Sequence, residues 1–161
     1  MEELVELLKA HDIRQVVDVR TVPKSRHNPQ FNERRIANSL KKHSIKYQRL
    51  ETLGGFRHAT KESKNRGWRN LSFRGFADYM GTEHFADGLA QLESIAGKRR
   101  TAIMCAEALP WRCHRSLIAD ALTKDKWKVY DIMSPTNVPK HRLTSFLKMR
   151  RGLLTYPEYE V

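Results

Sequence analysis

The sequence predicts an α/β protein, a three-layer sandwich in which helices flank a mostly parallel sheet of about four strands. Three observations point that way. Periodic patterns follow one another in the order helix, strand, helix, strand, helix, helix, strand, helix, strand, helix. The first strand run, QVVDVR at Gln15–Arg20, is rich in β-branched residues, as buried parallel strands are. No repeat, low-complexity tract or composition break interrupts the 161 residues, so residues 1–161 are expected to form one domain with a proper core.

The first helix is EELVELLKAH, residues 2–11. Leu4, Leu7 and Leu8 share a face, and acids open it while Lys9 and His11 close it, in the sense the helix dipole favours. Asp12 ends it. The strand Gln15–Arg20 finishes on Asp18 and Arg20, at the carboxyl edge where α/β sheets bind ligands. Two readings fit such a pair equally: a functional use, or an internal ion pair that fixes the next loop. That loop, TVPKSRHNPQF at Thr21–Phe31, is stiffened by Pro23 and Pro29. It offers Lys24, Ser25, Arg26, His27 and Asn28 as donors to an anion. Asn32 is placed to cap a helix over Glu33–His43, with Ile36, Ala37 and Leu40 on one face. Ile45–Leu50 alternates like a second strand and runs into Leu53-Gly54-Gly55-Phe56, where two glycines indicate a tight backbone or a close ligand.

From Arg57 to Arg74 the chain reads as a long basic loop, with Trp68 among the charges. Such a loop could clamp a phosphate backbone and stack a base, although pinning the loop to the core is the better reading of Trp68 itself. Ser72–Met80 is a short helix with Phe73, Phe76 and Met80 on one side. Thr82 caps a longer one, Glu83–Ala96, with a stripe of Phe85, Leu89, Leu92 and Ile95, and Gly97 ends it. Thr101–Met104 is the third strand and Ser116–Leu122 the helix after it. Lys128–Ile132, KVYDI, is expected as a fourth strand and His141–Met149 as a last helix.

Thirty Lys and Arg against eighteen Asp and Glu leave a net charge of +12 and a pI near 10.0. That balance favours a phosphate-bearing small molecule or nucleic acid as partner. No apolar run approaches the roughly 18 residues of a membrane span, and no signal-peptide core follows Met1, so a cytoplasmic address is expected. In that compartment two cysteines eight positions apart read as thiols, metal ligands or a redox pair, in preference to a structural disulfide.

Both cysteines lie in TAIMCAEALPWRCHR, Thr101–Arg115, the joint between the third strand and its helix. Three chemistries fit. Cys105 could be a nucleophile, its thiolate and an oxyanion held by loop N–H groups and by Arg112 or Arg115, with Glu107 or His114 as acid and base and Asp18 orienting a neighbour. Phosphatase-like and rhodanese-like enzymes share this layout with a shorter cysteine-to-arginine loop. Alternatively Cys105, Cys113 and His114, with Glu107 nearby, could hold zinc or iron, although adjacent ligands depart from the usual spacing. Thirdly, Cys113 could be a small buried residue, with Arg115 and Glu107 paired to Asp18 and Arg20.

VVDVRTVPKSRHNPQFN, LETLGGFRH, NLSFRGFADYM and IMCAEALPWRCHRSLIADAL occur in that order, and together they resemble the DUF488 family of small bacterial and archaeal proteins. The resemblance runs from about Glu3 to Ile132. It implies that the family's site falls on Asp18, Arg20, Pro23, Ser25, Pro29, Phe31, Gly54, Gly55, Cys105, Glu107, Cys113, His114 and Arg115. It lends no reaction and no cofactor. Two departures stand out. Members usually begin with a short strand and a Gly-His-Ser turn that this chain lacks, and a histidine-bearing segment that often follows the last strand is here Tyr130-Asp131-Ile132-Met133.

The expected function is an enzyme on a nucleotide or nucleic acid. Cys105, Glu107, His114 and Asp18 are its catalytic candidates, and Arg20, Ser25, Arg26, Asn28, Arg112 and Arg115 its anion-binding ones. The alternatives are a non-catalytic nucleic-acid-binding module using Arg57–Arg74 and the basic tail (Lys148, Arg150, Arg151), and a metal-binding protein using Cys105, Cys113 and His114.

Overall fold

Side chains alternate along a strand, so the first strand, β1 (Gln15–Asp18), has two apolar faces to cover. Val16 meets Val5 and Leu8 of α1 (Glu2–Ala10) together with Ile36 and Leu40 of α2 (Glu33–Lys41). Val17 and Val19 face a second cluster. It is built from Phe76 and Ala77 of α3 (Leu71–Tyr79), Phe85 and Leu92 of α4 (Glu83–Ala96), and Leu117, Ile118 and Ala121 of α5 (Arg115–Lys124). In the computed structural model, which describes residues 1–158, helices thus pack on both faces of a mixed α/β chain.

β1 is the central strand of three. β2 (Lys46–Arg49) lies on one side and β3 (Thr101–Met104) on the other, both parallel to it, in the order β2-β1-β3. The register sets Asp18 beside Arg49 and Met104, so all three strands run out at one edge. The chain leaves that edge through three loops that include single turns of tighter helix at Pro29–Phe31, Glu51–Leu53 and Pro110–Arg112.

The C-terminal part departs from expectation. Lys128–Ile132 does not join the sheet as a fourth strand. The amides of Asp131 and Met133 donate to the carbonyls of Pro139 and Asn137, and His141 N–H donates to Val129, so the segment folds back on its own proline-punctuated loop. Only one bridge, Tyr130 to Lys140, has strand geometry, because Pro139 has no N–H to extend the ladder. The helix expected over His141–Met149 is absent as well. The amides it would need go elsewhere, His141 to Val129 and Thr144 to the Asp120 carboxylate. In its place β4 (Lys148–Arg150) and β5 (Leu153–Thr155) form an antiparallel hairpin. Its two-residue turn, Arg151-Gly152, has positive φ at both positions (50° and 79°), the geometry that matches the twist of paired strands.

None of the described helices is long and apolar enough to cross a membrane.

Candidate functional site

Asp18 fixes the floor of the edge. It is fully buried and accepts from the amide, Nε and Nη2 of Arg20 at 2.7–3.1 Å and from the Tyr47 hydroxyl at 2.5 Å. Burial and the adjoining carboxylate push the Tyr47 phenol up, so it stays a donor. Burial works against the Arg20 charge, but the hydrogen bond and charge of Asp18 outweigh it and raise the guanidinium. Arg20 Nη2 also donates to Phe31 O at 2.8 Å and closes the 21–31 loop at its base. Of the two readings of this pair, the internal ion pair is present, although Arg20 still borders the cavity described below.

The paired glycines answer to two close approaches. A Cβ on Gly54 would meet Thr21 Oγ1 at 2.7 Å, and one on Gly55 would meet the His114 ring, at 2.6 Å from Nδ1. Thr21 is itself a strap. Its carbonyl accepts from Arg49 Nη2 at 2.5 Å and its hydroxyl from Phe56 N–H at 3.0 Å. The loops after β1 and β2 are therefore joined directly above the sheet.

His114 stands between them. Its Nε2 lies 3.0 Å from Val19 O and 2.9 Å from Leu53 O. Both neighbours only accept, so Nε2 keeps a proton, and Nδ1 is the nitrogen left to exchange one with the sulfur beside it. The ring packs on Phe76 with centroids 4.9 Å apart. Nδ1 then faces Cys113 Sγ at 3.5 Å. The same sulfur receives the Arg115 amide at 3.3 Å, a free N–H at the start of α5, and Arg115 Nε at 3.4 Å. Cys105, just past β3, places its Sγ 2.8 Å from Cys113 Sγ.

The two thiols share one proton unequally. The hydrogen bond from Cys105 holds Cys113 well below the ordinary thiol range; burial opposes this, and His114 and the Arg115 amide reinforce it. The same hydrogen bond, together with burial and the charge on Cys113, pushes the Cys105 thiol up. Cys113 is thus the sulfur favoured for the charge and Cys105 the one favoured to keep its proton. Cys113, which the sequence offers as a small buried residue, is only 6% exposed, and its sulfur meets His114 Nδ1 and the Arg115 amide and Nε.

A cavity of about 350 Å³ opens over this pair. Cys105, Cys113, His114, Glu107 and Arg112 line it on one side, and Arg20, Thr21, Gly55 and Phe56 on the other. Phe56, which is 77% exposed, and the exposed Arg112 border it, and Trp111, next to Arg112 in the chain, is 59% exposed. Glu107 turns its carboxylate onto the Ala108 and Leu109 amides of its own loop, and its carbonyl accepts from Arg115 Nη2. Arg115 thus reaches the thiolate and braces the loop, without bordering the cavity.

Other sequence candidates lie apart. Ser25, Arg26 and Asn28 do not border the cavity, and the Ser25 hydroxyl accepts from the Asn28 amide within its own loop. Trp68 pins the basic loop to the core, stacked on Phe73 at 4.9 Å and edge-on to Phe146 at 4.9 Å. Several of that loop's cations are engaged. Arg57 covers the Tyr79 ring at 3.7 Å and donates to Gly54 O, and Arg74 donates to Trp68 O. Among the described residues no group of three or more His, Cys, Asp or Glu is arranged to hold a metal ion. The sulfurs are also closer, at 2.8 Å, than the roughly 3.8 Å edge of a tetrahedral zinc–thiolate site.

Tyr47 and Gly55 were not singled out for these roles. Only the pairing of β2 with β1 shows that Tyr47 reaches Asp18, and only the seat of His114 shows what Gly55 makes room for.

Residues 1–122 match the family model described as Domain of unknown function DUF488, 122 of the 161 residues. No curated protein and no solved structure matches the chain.

Proposed function

The chain belongs to the DUF488 family, and within it we propose that this protein is a cysteine-dependent enzyme acting on a phosphate-bearing substrate, with a nucleotide as the class best suited to the cavity. One observation carries the reading. The Cys113 sulfur faces Nδ1 of an imidazole whose Nε2 is fixed by two carbonyls, on the wall of a cavity. That is the arrangement of an activated nucleophile, a base and an orienting group. In the reaction the Cys113 sulfur bonds to phosphorus as the bond to the leaving oxygen breaks, and His114 Nδ1 passes that oxygen its proton. Water then cleaves the sulfur–phosphorus bond, releasing phosphate and returning the charge to Cys113, to which the Cys105 thiol donates.

The phosphate reading rests on Arg112 and on the +12 charge of the chain, and the exposed Phe56 offers a ring face at the cavity on which a base can stack. The position of the cysteine loop and helix start at the carboxyl edge is the usual place for such a ligand.

The test is turnover of a panel of nucleotides by reduced protein. Cys113→Ser should remove activity by about a thousandfold or more, and Arg112→Ala should raise KM with a smaller effect on kcat. Equal turnover by wild type and Cys113→Ser would end the assignment.

A further inference from the structure

Cys105 and Cys113 are held by different elements. Cys105 follows β3, whose last residue, Met104, accepts from Val19 N–H at 3.0 Å. Cys113 is tied by its amide to Pro110 O and by its carbonyl to the Ser116 amide and hydroxyl. Between them the seven residues 106–112 make a loop braced by Arg115 and by the Glu107 carboxylate. These two anchored sulfurs stand 2.8 Å apart, within about 1 Å of the roughly 2.0 Å disulfide bond. They are the only cysteines in the chain.

We propose that Cys105 and Cys113 form a two-electron redox couple, oxidised to an intramolecular disulfide by a hydroperoxide. The couple is polarised for it. Cys113 is the electron-rich sulfur, beside the Arg115 guanidinium and amide, and Cys105 keeps its proton and faces Glu107 O at 3.7 Å. With Cys113 only 6% exposed at the cavity wall, the oxidant that reaches it is small.

The balance is as follows. The Cys113 thiolate attacks the terminal peroxide oxygen and the O–O bond breaks. The alkoxide or hydroxide that leaves takes one proton from solvent, and Cys113 becomes a sulfenic acid. The Cys105 sulfur then attacks the Cys113 sulfur, the S–O bond breaks, and hydroxide departs as water with the Cys105 proton. One thiolate, one thiol, one proton and one hydroperoxide give one disulfide, one alcohol (or water) and one water; sulfur supplies both electrons. An external dithiol reverses the oxidation. The disulfide also ties up the Cys113 nucleophile, so it would silence the reaction proposed above. The redox step itself stands on the thiol pair alone.

The experiment needs no phosphate substrate. The full chain is reduced, freed of reductant and given one equivalent of hydrogen peroxide at pH 7, and its thiols are counted by alkylation and intact mass. Both thiols should disappear together in the monomer with a loss of about 2 Da, and return with dithiothreitol. Cys105→Ser should stop at a sulfenic acid that dimedone traps, and Cys113→Ser should react about tenfold more slowly or less. Two alkylatable thiols after excess peroxide, or a disulfide that only links two chains, would overturn the proposal. The wild-type measurement decides it even where a variant fails to fold. Oxidation without nucleotide turnover would uphold the couple and count against the enzyme reading, and turnover without oxidation would do the reverse.

Discussion

At Gly55 the chain tolerates no side chain, because an added Cβ would lie 2.6 Å from Nδ1 and 2.9 Å from Cε1 of His114. Gly55→Ala should therefore displace the ring from its two carbonyls and from Cys113. Turnover is expected to fall about tenfold to a hundredfold while the fold persists. The check is kcat beside a melting curve, together with the pH profile of Cys113 alkylation, which should move toward that of an ordinary thiol. A melting point lowered with an unchanged alkylation profile would show that Gly55 serves packing alone. Adjacent Cys113 and His114 are an awkward pair of metal ligands, and this side-by-side placement was visible in the sequence. That they would instead meet as sulfur and base was not, since it depends on a left-over nitrogen whose partner is set by carbonyls 95 and 61 residues away.

At the scale of elements, α1, β1, α2, β2, α4 and β3 follow their sequence patterns within a residue or two, because each buries a periodic apolar pattern, β1 on both of its faces. The segment after α5 departs from its sequence pattern, and beside the backbone bonds of its proline loop a single buried carboxylate organises it. Asp120, fully buried on α5, accepts from His141 Nε2 at 2.8 Å, from Thr144 N–H and Oγ1, and from the Tyr156 hydroxyl at 2.8 Å. These bonds organise the C-terminal segment without helical or sheet periodicity, and pattern reading has no purchase on them. Burial alone would lower the His141 pKa. Hydrogen bonds to Asp120 and Asp131, and their charges, outweigh burial and raise it to about 9. A folded value above the unfolded one means the contribution is complete below about pH 6.5 and is lost as pH rises through 9. Wild type should exceed His141→Gln by about 2 kcal/mol at pH 6, and the gap should narrow toward pH 9.5 in paired denaturant titrations. A gap independent of pH would assign His141 a packing role only.

Across the whole molecule, the charge of +12 falls on a surface where several arginines are already engaged with backbone carbonyls, as Arg49, Arg57, Arg66 and Arg74 are. Those bonds do not cancel charge, so the field toward an anion persists even where the guanidinium is not free to touch it. Raising ionic strength from 50 to 200 mM should increase KM for a phosphate-bearing substrate by about two- to fivefold and leave kcat nearly unchanged. A KM indifferent to salt would point to recognition through the exposed Phe56 at the cavity alone.

The hydrogen bonds of His114 Nε2 to the carbonyls of Val19 and Leu53 join residues that are distant in the sequence. A growing chain emits the first strand and the Leu53 turn long before it emits the cysteines. Until β3 and α5 dock, the imidazole has no seat and Cys113 is an ordinary, mostly protonated thiol. In the role proposed for it, Cys113 is thus activated only once the sheet is complete. Alkylation rate at Cys113 is, for the same reason, a readout of correct folding that needs no substrate.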